Sequence, residues 1–97
     1  MKRSYLYILK CNDGTYYTGV TSFIDKRLRE HQSGFYRDSY TYFRRPVELV
    51  FLTEFTDINF TFLYEKQIKK WSRAKKESLI KGDYEALPNL AKKKFEK

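Results

Sequence analysis

Ser4-Tyr5-Leu6-Tyr7-Ile8-Leu9-Lys10-Cys11, then Asn12-Asp13-Gly14, then Thr15-Tyr16-Tyr17-Thr18-Gly19-Val20-Thr21 is the stretch on which the fold turns. Its two outer runs are rich in Tyr, Leu, Ile and Thr, residues that suit a pleated strand. The tripeptide between them is turn chemistry, with Gly14 free to take positive φ. A β-hairpin is therefore predicted. Strand alternation puts Tyr5 and Tyr7 on one face, with Leu6 and Ile8 on the other. On the second strand Tyr17 and Gly19 share a face, opposite Tyr16 and Thr18. Glycine weakens a strand interior, so Gly19 reads as a bulge or as a close approach of the kind a phosphate needs.

Working outward, Ser22 is positioned to cap a helix over Phe23 to Ser33, with Asp25 in its first turn and Gly34 as its left-handed stop. Residues 35 to 46 show no clear period and read as a loop. Val47 to Phe55 is β-branched and apolar enough for a third strand. Asp57 caps a second helix reaching about Trp71, in which Phe60, Tyr64, Ile68 and Trp71 recur on one face. Ser72 caps a third helix through Ile80, which ends at Gly82. Tyr84 to Lys97 is predicted to be partly helical, with Pro88 interrupting it. The order β-β-α-β-α-α gives an α/β fold: a small, mainly antiparallel three-stranded sheet flanked by helices. One sheet face is expected to be covered, leaving the other or an edge for a site.

The 97 residues make one domain, 1–97, with a basic tail over 83–97. A net charge of +8 and an aromatic content of 19% point to a polyanionic partner, bound by phosphate contacts and ring stacking. One cysteine, Cys11, and one histidine, His31, exclude an intrachain disulfide and a zinc site built from those residue types. Cys11 reads as a small buried apolar residue. No secretory leader and no apolar run of about 20 residues is present, so a soluble, cytoplasmic protein without membrane contact is expected.

Five residues carry candidate chemistry. Tyr7 and Tyr17 lie on paired strands, where two phenols come close. Arg27 and His31, one turn apart, share a helix face beside the Ile24–Leu28 stripe. Glu65 stands before Lys66, Lys69 and Lys70; its simplest partner is Lys69, but its helical position near Ile68 also suits a carboxylate holding Mg²⁺. Phenols, a guanidinium, an imidazole and one carboxylate are the parts for metal-assisted phosphodiester cleavage. A phenol with pKa near 10 is a poor base at neutral pH, so positive charge near Tyr7 and Tyr17 is expected to lower it. Arg37, Arg44 and Arg45, interleaved with Tyr36, Tyr40 and Tyr42, read together with Lys66, Lys69 and Lys70 as a nucleic-acid contact surface.

With these residues in hand, the chain resembles the GIY-YIG nucleases, best over residues 4–81. It is most similar to the small stand-alone bacterial members related to the excision-repair nuclease N-terminal domain. The first motif stands here as Tyr5-Leu6-Tyr7 and the second as Tyr17-Thr18-Gly19, with Val20 where many relatives carry lysine. The resemblance implies an endonuclease that hydrolyses DNA with one Mg²⁺ or Mn²⁺ ion held by Glu65, acting in repair or recombination. Tyr7, Tyr17, Arg27 and His31 would be its catalytic residues, and either tyrosine could be the base. A non-catalytic nucleic-acid-binding module on the same fold, or an interaction subunit of a repair complex, are the alternatives.

Overall fold

The computed structural model describes residues 3–85 and 87. The hairpin forms as its composition predicts. Strand β1, Ser4–Lys10, and strand β2, Tyr16–Thr21, pair antiparallel around a turn in which Gly14 takes φ 84°. Asp13 Oδ1 braces that turn by accepting from the backbone N–H of Thr15 at 3.1 Å and from its hydroxyl at 2.6 Å. Strand β3, Glu48–Phe55, pairs antiparallel with the other edge of β1, giving the order β2-β1-β3. The two most apolar faces thus belong to the central strand, whose Leu6, Tyr7, Ile8 and Leu9 are all fully buried.

Helix α1, Ile24–Ser33, follows β2; α2, Ile58–Lys69, and α3, Arg73–Lys81, follow β3. The predicted order β-β-α-β-α-α and the antiparallel three-stranded sheet are both present. Asp57 and Ser72 cap α2 and α3 as expected, accepting from Asn59 N–H at 2.9 Å and Lys75 N–H at 3.3 Å. Gly34 and Gly82 stop α1 and α3 in the left-handed conformation, at φ 77° and 79°.

Several expectations are corrected. Ser22 does not cap α1. Phe23 occupies the cap position without a side-chain bond, and its N–H instead donates to Thr21 Oγ1 at 3.0 Å. Phe60 does not join the packed face of α2: it is 54% exposed, and Thr61 is buried in its stead, 2.6 Å from the Ser4 hydroxyl. The first turn of α2 is therefore rotated by one residue relative to the aromatic spacing, because a buried hydroxyl pair anchors it to β1. Residues 35–46 are not wholly irregular, since Tyr42–Arg44 form one 3₁₀ turn. Most of the predicted C-terminal helix lies outside the described residues.

A further correction concerns the sheet, which carries helices on both faces rather than one. Leu6 and Ile8 pack with Phe55, Tyr64, Ile68 and Leu79 under α2 and α3. Tyr7, Leu9, Cys11 and Val47 pack with Ile24 and Leu28 under α1. Cys11 is the buried apolar residue its sequence position implies. The α1 layer covers β1 and β2 but leaves Leu49 and Leu52 of β3 exposed, and the candidate pocket lies at its rim, where β2 and the loop after α1 meet. Among the described residues no helix is long and apolar enough to cross a membrane.

Candidate active site

Helix α1 turns Ile24, Leu28 and His31 toward the sheet, positions spaced by four and three residues. That spacing drives the imidazole into the core, where it is 3% exposed. Nε2 lies 3.0 Å from the Tyr7 hydroxyl, and Nδ1 lies 2.9 Å from Thr41 Oγ1. Thr41 in turn sits 3.1 Å from Ser39 Oγ. A chain of polar groups thus runs from the buried phenol through the imidazole to the loop after α1.

Tyr17 packs on the same group from the next strand. Its ring is 5.3 Å from the imidazole, 6.3 Å from the Tyr7 ring and 6.3 Å from Tyr40, which stacks on it at 20°. Tyr17, Arg27 and His31 line one pocket of about 340 Å³ together with Tyr36, Asp38, Ser39 and Tyr40. Sequence spacing alone brings Arg27 and His31 together; the hairpin register, which sets Leu9 opposite Tyr17 and Tyr7 opposite Gly19, brings the phenols to them.

The two phenols do not share one environment. Tyr7 is fully buried and lies behind the pocket, its hydroxyl on His31, whereas Tyr17 lines the pocket wall. Burial drives the Tyr7 phenol well above its ordinary range, and nearby Tyr17 pushes it further; the Arg27 guanidinium opposes both but does not prevail. The expected lowering of Tyr7 is thus reversed, because desolvation outweighs one neighbouring cation. Burial also lowers the His31 pKa, with Arg27 acting in the same direction and Glu30 against it. Both groups are neutral near pH 7.

The sign for stability follows. An imidazole held below its unfolded value leaves the unfolded chain binding more protons as pH falls. Stability present above about pH 6.5 is lost as pH drops toward the folded value. NMR titration of this single histidine is expected to give a midpoint below 6.5. A midpoint at or above that value would refute the burial argument.

Gly19 is not a bulge. Its pairing with Tyr7 is regular, and the register shift in the sheet lies instead between Ile8 and Leu9 against β3. A Cβ at Gly19 would fall 2.5 Å from Tyr7 Cζ and 3.0 Å from Cε1, so the missing side chain makes room for the Tyr7 ring.

Arg27 is poised rather than locked. Its Nε lies 3.8 Å from Glu30 Oε1, which also accepts the Tyr36 hydroxyl at 2.6 Å, and its guanidinium stands 5.4 Å over the Tyr36 ring. Arg44 and Arg45 are more committed than their sequence reading implied. Arg44 bonds Asp13 at 3.0 Å and the Tyr40 carbonyl at 2.8 Å, with its guanidinium 3.8 Å over the Tyr40 ring. Arg45 donates to the carbonyls of Tyr42 and Gln32 at 2.9 and 3.3 Å, closing the end of α1. Both arginines build the loop. Arg37 is exposed beside the pocket residues, Lys66 is exposed on α2, and Lys70 is exposed at its C-cap.

The GIY-YIG catalytic domain matches residues 3–78 of this chain. The chain belongs to the GIY-YIG family. A UPF0213 protein of Syntrophus aciditrophicus is 49% identical over 87 residues, covering 90% of this chain and 100% of that protein. Two solution NMR structures share the fold. UPF0213 protein BH0048 from Bacillus halodurans has 39% identity and TM-score 0.55, covering 81% of this chain and 83% of its own. Protein EF2693 from E. faecalis has 33% identity and TM-score 0.62, covering 92% and 94%. The GIY-YIG family is one of nucleases, and its members generally use a divalent metal.

Two of the five candidate residues do not line the pocket: Tyr7, which bonds His31 from behind it, and Glu65. The Glu65 carboxylate, on a side chain 20% exposed, pairs with Lys69 Nζ at 3.4 Å, the partner its spacing implied. Among the described residues no three His, Cys, Asp or Glu side chains gather into a metal cage. A lone carboxylate nonetheless fits a hard cation such as Mg²⁺, which keeps several waters and takes further oxygens from a phosphate. The Lys69 pair is worth about 0.3–0.5 kcal/mol, too little to hold the carboxylate back from such an ion.

Sequence reading missed Ser39, Thr41 and Asp38. All three fall in the aperiodic loop, where no spacing rule marks which side chain turns inward.

Proposed function

We propose that this chain is a divalent-metal-dependent endonuclease that hydrolyses DNA phosphodiester bonds, with Tyr17 as the group that takes the proton from water. The observation that carries this reading is the convergence of Tyr17, Arg27 and His31 on one pocket, backed by the buried hydrogen bond from Tyr7 to His31. Tyr17 is the phenol that a water molecule and a phosphate can reach, and Arg27 stands beside it on the same wall. Arg27 would leave its 3.8 Å contact with Glu30 to grip two oxygens of the scissile phosphate, for which its fork is shaped. His31, neutral and held at both nitrogens, keeps the back of the pocket rigid. Tyr7 would fix the imidazole rather than act on water.

Glu65 would hold the Mg²⁺ or Mn²⁺ ion, which when bound supplies charge stabilisation to the phosphoryl and leaving oxygens. Exposed Arg37, Lys66 and Lys70 supply cations for flanking phosphates, consistent with the net charge of +8. Tyr40, 41% exposed, offers a ring for a base next to the scissile position.

The test is cleavage of a panel of labelled single-stranded, duplex, nicked and branched DNAs with Mg²⁺, Mn²⁺ or EDTA. Metal-dependent nicking is expected, and Glu65→Ala should abolish it while leaving DNA retention in EDTA unchanged. Binding without cleavage of any DNA under either metal would instead support a non-catalytic module.

A further inference from the structure

The polar chain behind the pocket has a direction, and one constraint sets it. The Tyr7 hydroxyl is fully buried, so its proton requires an acceptor inside the protein. His31 Nε2, 3.0 Å away, provides one. Were Nε2 protonated, it would donate to the Tyr7 oxygen and the buried phenol proton would be left without a partner, at a cost of about 1–3 kcal/mol. Nε2 is therefore the acceptor, which puts the imidazole proton on Nδ1. That proton points at Thr41 Oγ1, 2.9 Å away and on a residue 1% exposed. The Thr41 hydroxyl proton then goes to Ser39 Oγ at 3.1 Å, which also accepts the Thr41 N–H at 3.3 Å. Each buried donor has one acceptor, and Ser39 alone keeps a proton to offer the pocket.

We propose that Thr41 is a positioning residue whose hydroxyl, accepting from His31 Nδ1–H, selects the imidazole tautomer that receives the Tyr7 hydrogen bond. Its consequence for cleavage rests on the nuclease reading above; its effect on the tautomer does not. A threonine methyl fills the same space in valine, so Thr41→Val removes the acceptor and little else, whereas Thr41→Ser keeps it. Without that acceptor, Nδ1–H is buried and unpaired, and the ring is driven to another protonation or orientation.

The chain has one histidine, so a tag-free, ¹⁵N-labelled sample gives a single imidazole pattern in a long-range ¹H–¹⁵N correlation spectrum. At pH 7.5 the wild-type protein and Thr41→Ser should show protonated Nδ1 and bare Nε2, and Thr41→Val should lose that pattern. Cleavage by Thr41→Val should fall roughly 10–100-fold in kcat with KM little changed, with recovery in Thr41→Ser. A wild-type spectrum with protonated Nε2 overturns the proposal without any variant. So does an unaltered Nδ1–H pattern in folded Thr41→Val. Absence of cleavage in every form, with the tautomer shift present, would reject the nuclease reading and leave the role of Thr41 standing.

Discussion

Tyr17→Phe is expected to lower DNA cleavage by about 10²–10⁴-fold, the range that a positioned acid or base contributes. Phenylalanine keeps the ring that packs against His31 at 5.3 Å and Tyr40 at 6.3 Å, so folding and DNA retention should be unchanged. The loss is then confined to the hydroxyl on the pocket wall. Tyr7→Phe provides the contrast. It deletes the donor to His31 Nε2 inside the core and leaves that nitrogen unpaired, which should cost about 1–3 kcal/mol of stability. Its effect on cleavage should be smaller than that of Tyr17→Phe, because it acts through the imidazole. Single-turnover rates and urea unfolding on both variants separate the two roles. A Tyr17→Phe enzyme with wild-type rate, alongside an inactive but stable Tyr7→Phe, would reverse the assignment.

Gly19→Ala is the substitution expected to damage the fold most for its size. On a strand, alanine in place of glycine normally gains about 0.5–1 kcal/mol from lower backbone entropy in the unfolded chain. Here the new Cβ would lie 2.5 Å from Tyr7 Cζ, well inside contact distance. The ring cannot easily retreat, since it is fully buried and its hydroxyl is held by His31. Overpacking of this kind costs about 1–3 kcal/mol, and displacing the hydroxyl forfeits about 1 kcal/mol more. The clash therefore wins, leaving a net loss of about 1–3 kcal/mol. For a domain of this size that corresponds to a fall in Tm of roughly 4–24 °C. Calorimetry reads it directly. A Tm equal to or above wild type would mean that the Tyr7 ring does not require this glycine.

These two residues also mark where sequence reading stops. Alternation along a strand is a local rule, so the sharing of a face by Tyr17 and Gly19, and by Tyr5 and Tyr7, was legible from residue order. So were the caps at Asp57 and Ser72 and the stops at Gly34 and Gly82, because each depends on a few adjacent residues. The i,i+4 relation of Arg27 and His31 is local in the same way. Gly19 was recognisable as special, but what approached it was not, because its neighbour lies twelve residues away across the sheet.

Composition, spacing and turn chemistry by themselves determined the order of elements and the antiparallel hairpin, and they put Arg27 and His31 on one helix face. Only the folded chain decided that helices pack on both faces of the sheet, that Tyr7 is buried while Tyr17 meets the pocket, and that Arg44 and Arg45 brace a loop. It also chose Thr41, from among the hydroxyls of an aperiodic segment, as the partner of His31. The physical reason is that burial, and the desolvation and hydrogen-bond pairing it imposes, depends on contacts between segments distant in sequence. A local pattern states which residues share a face; it carries no information about what covers that face.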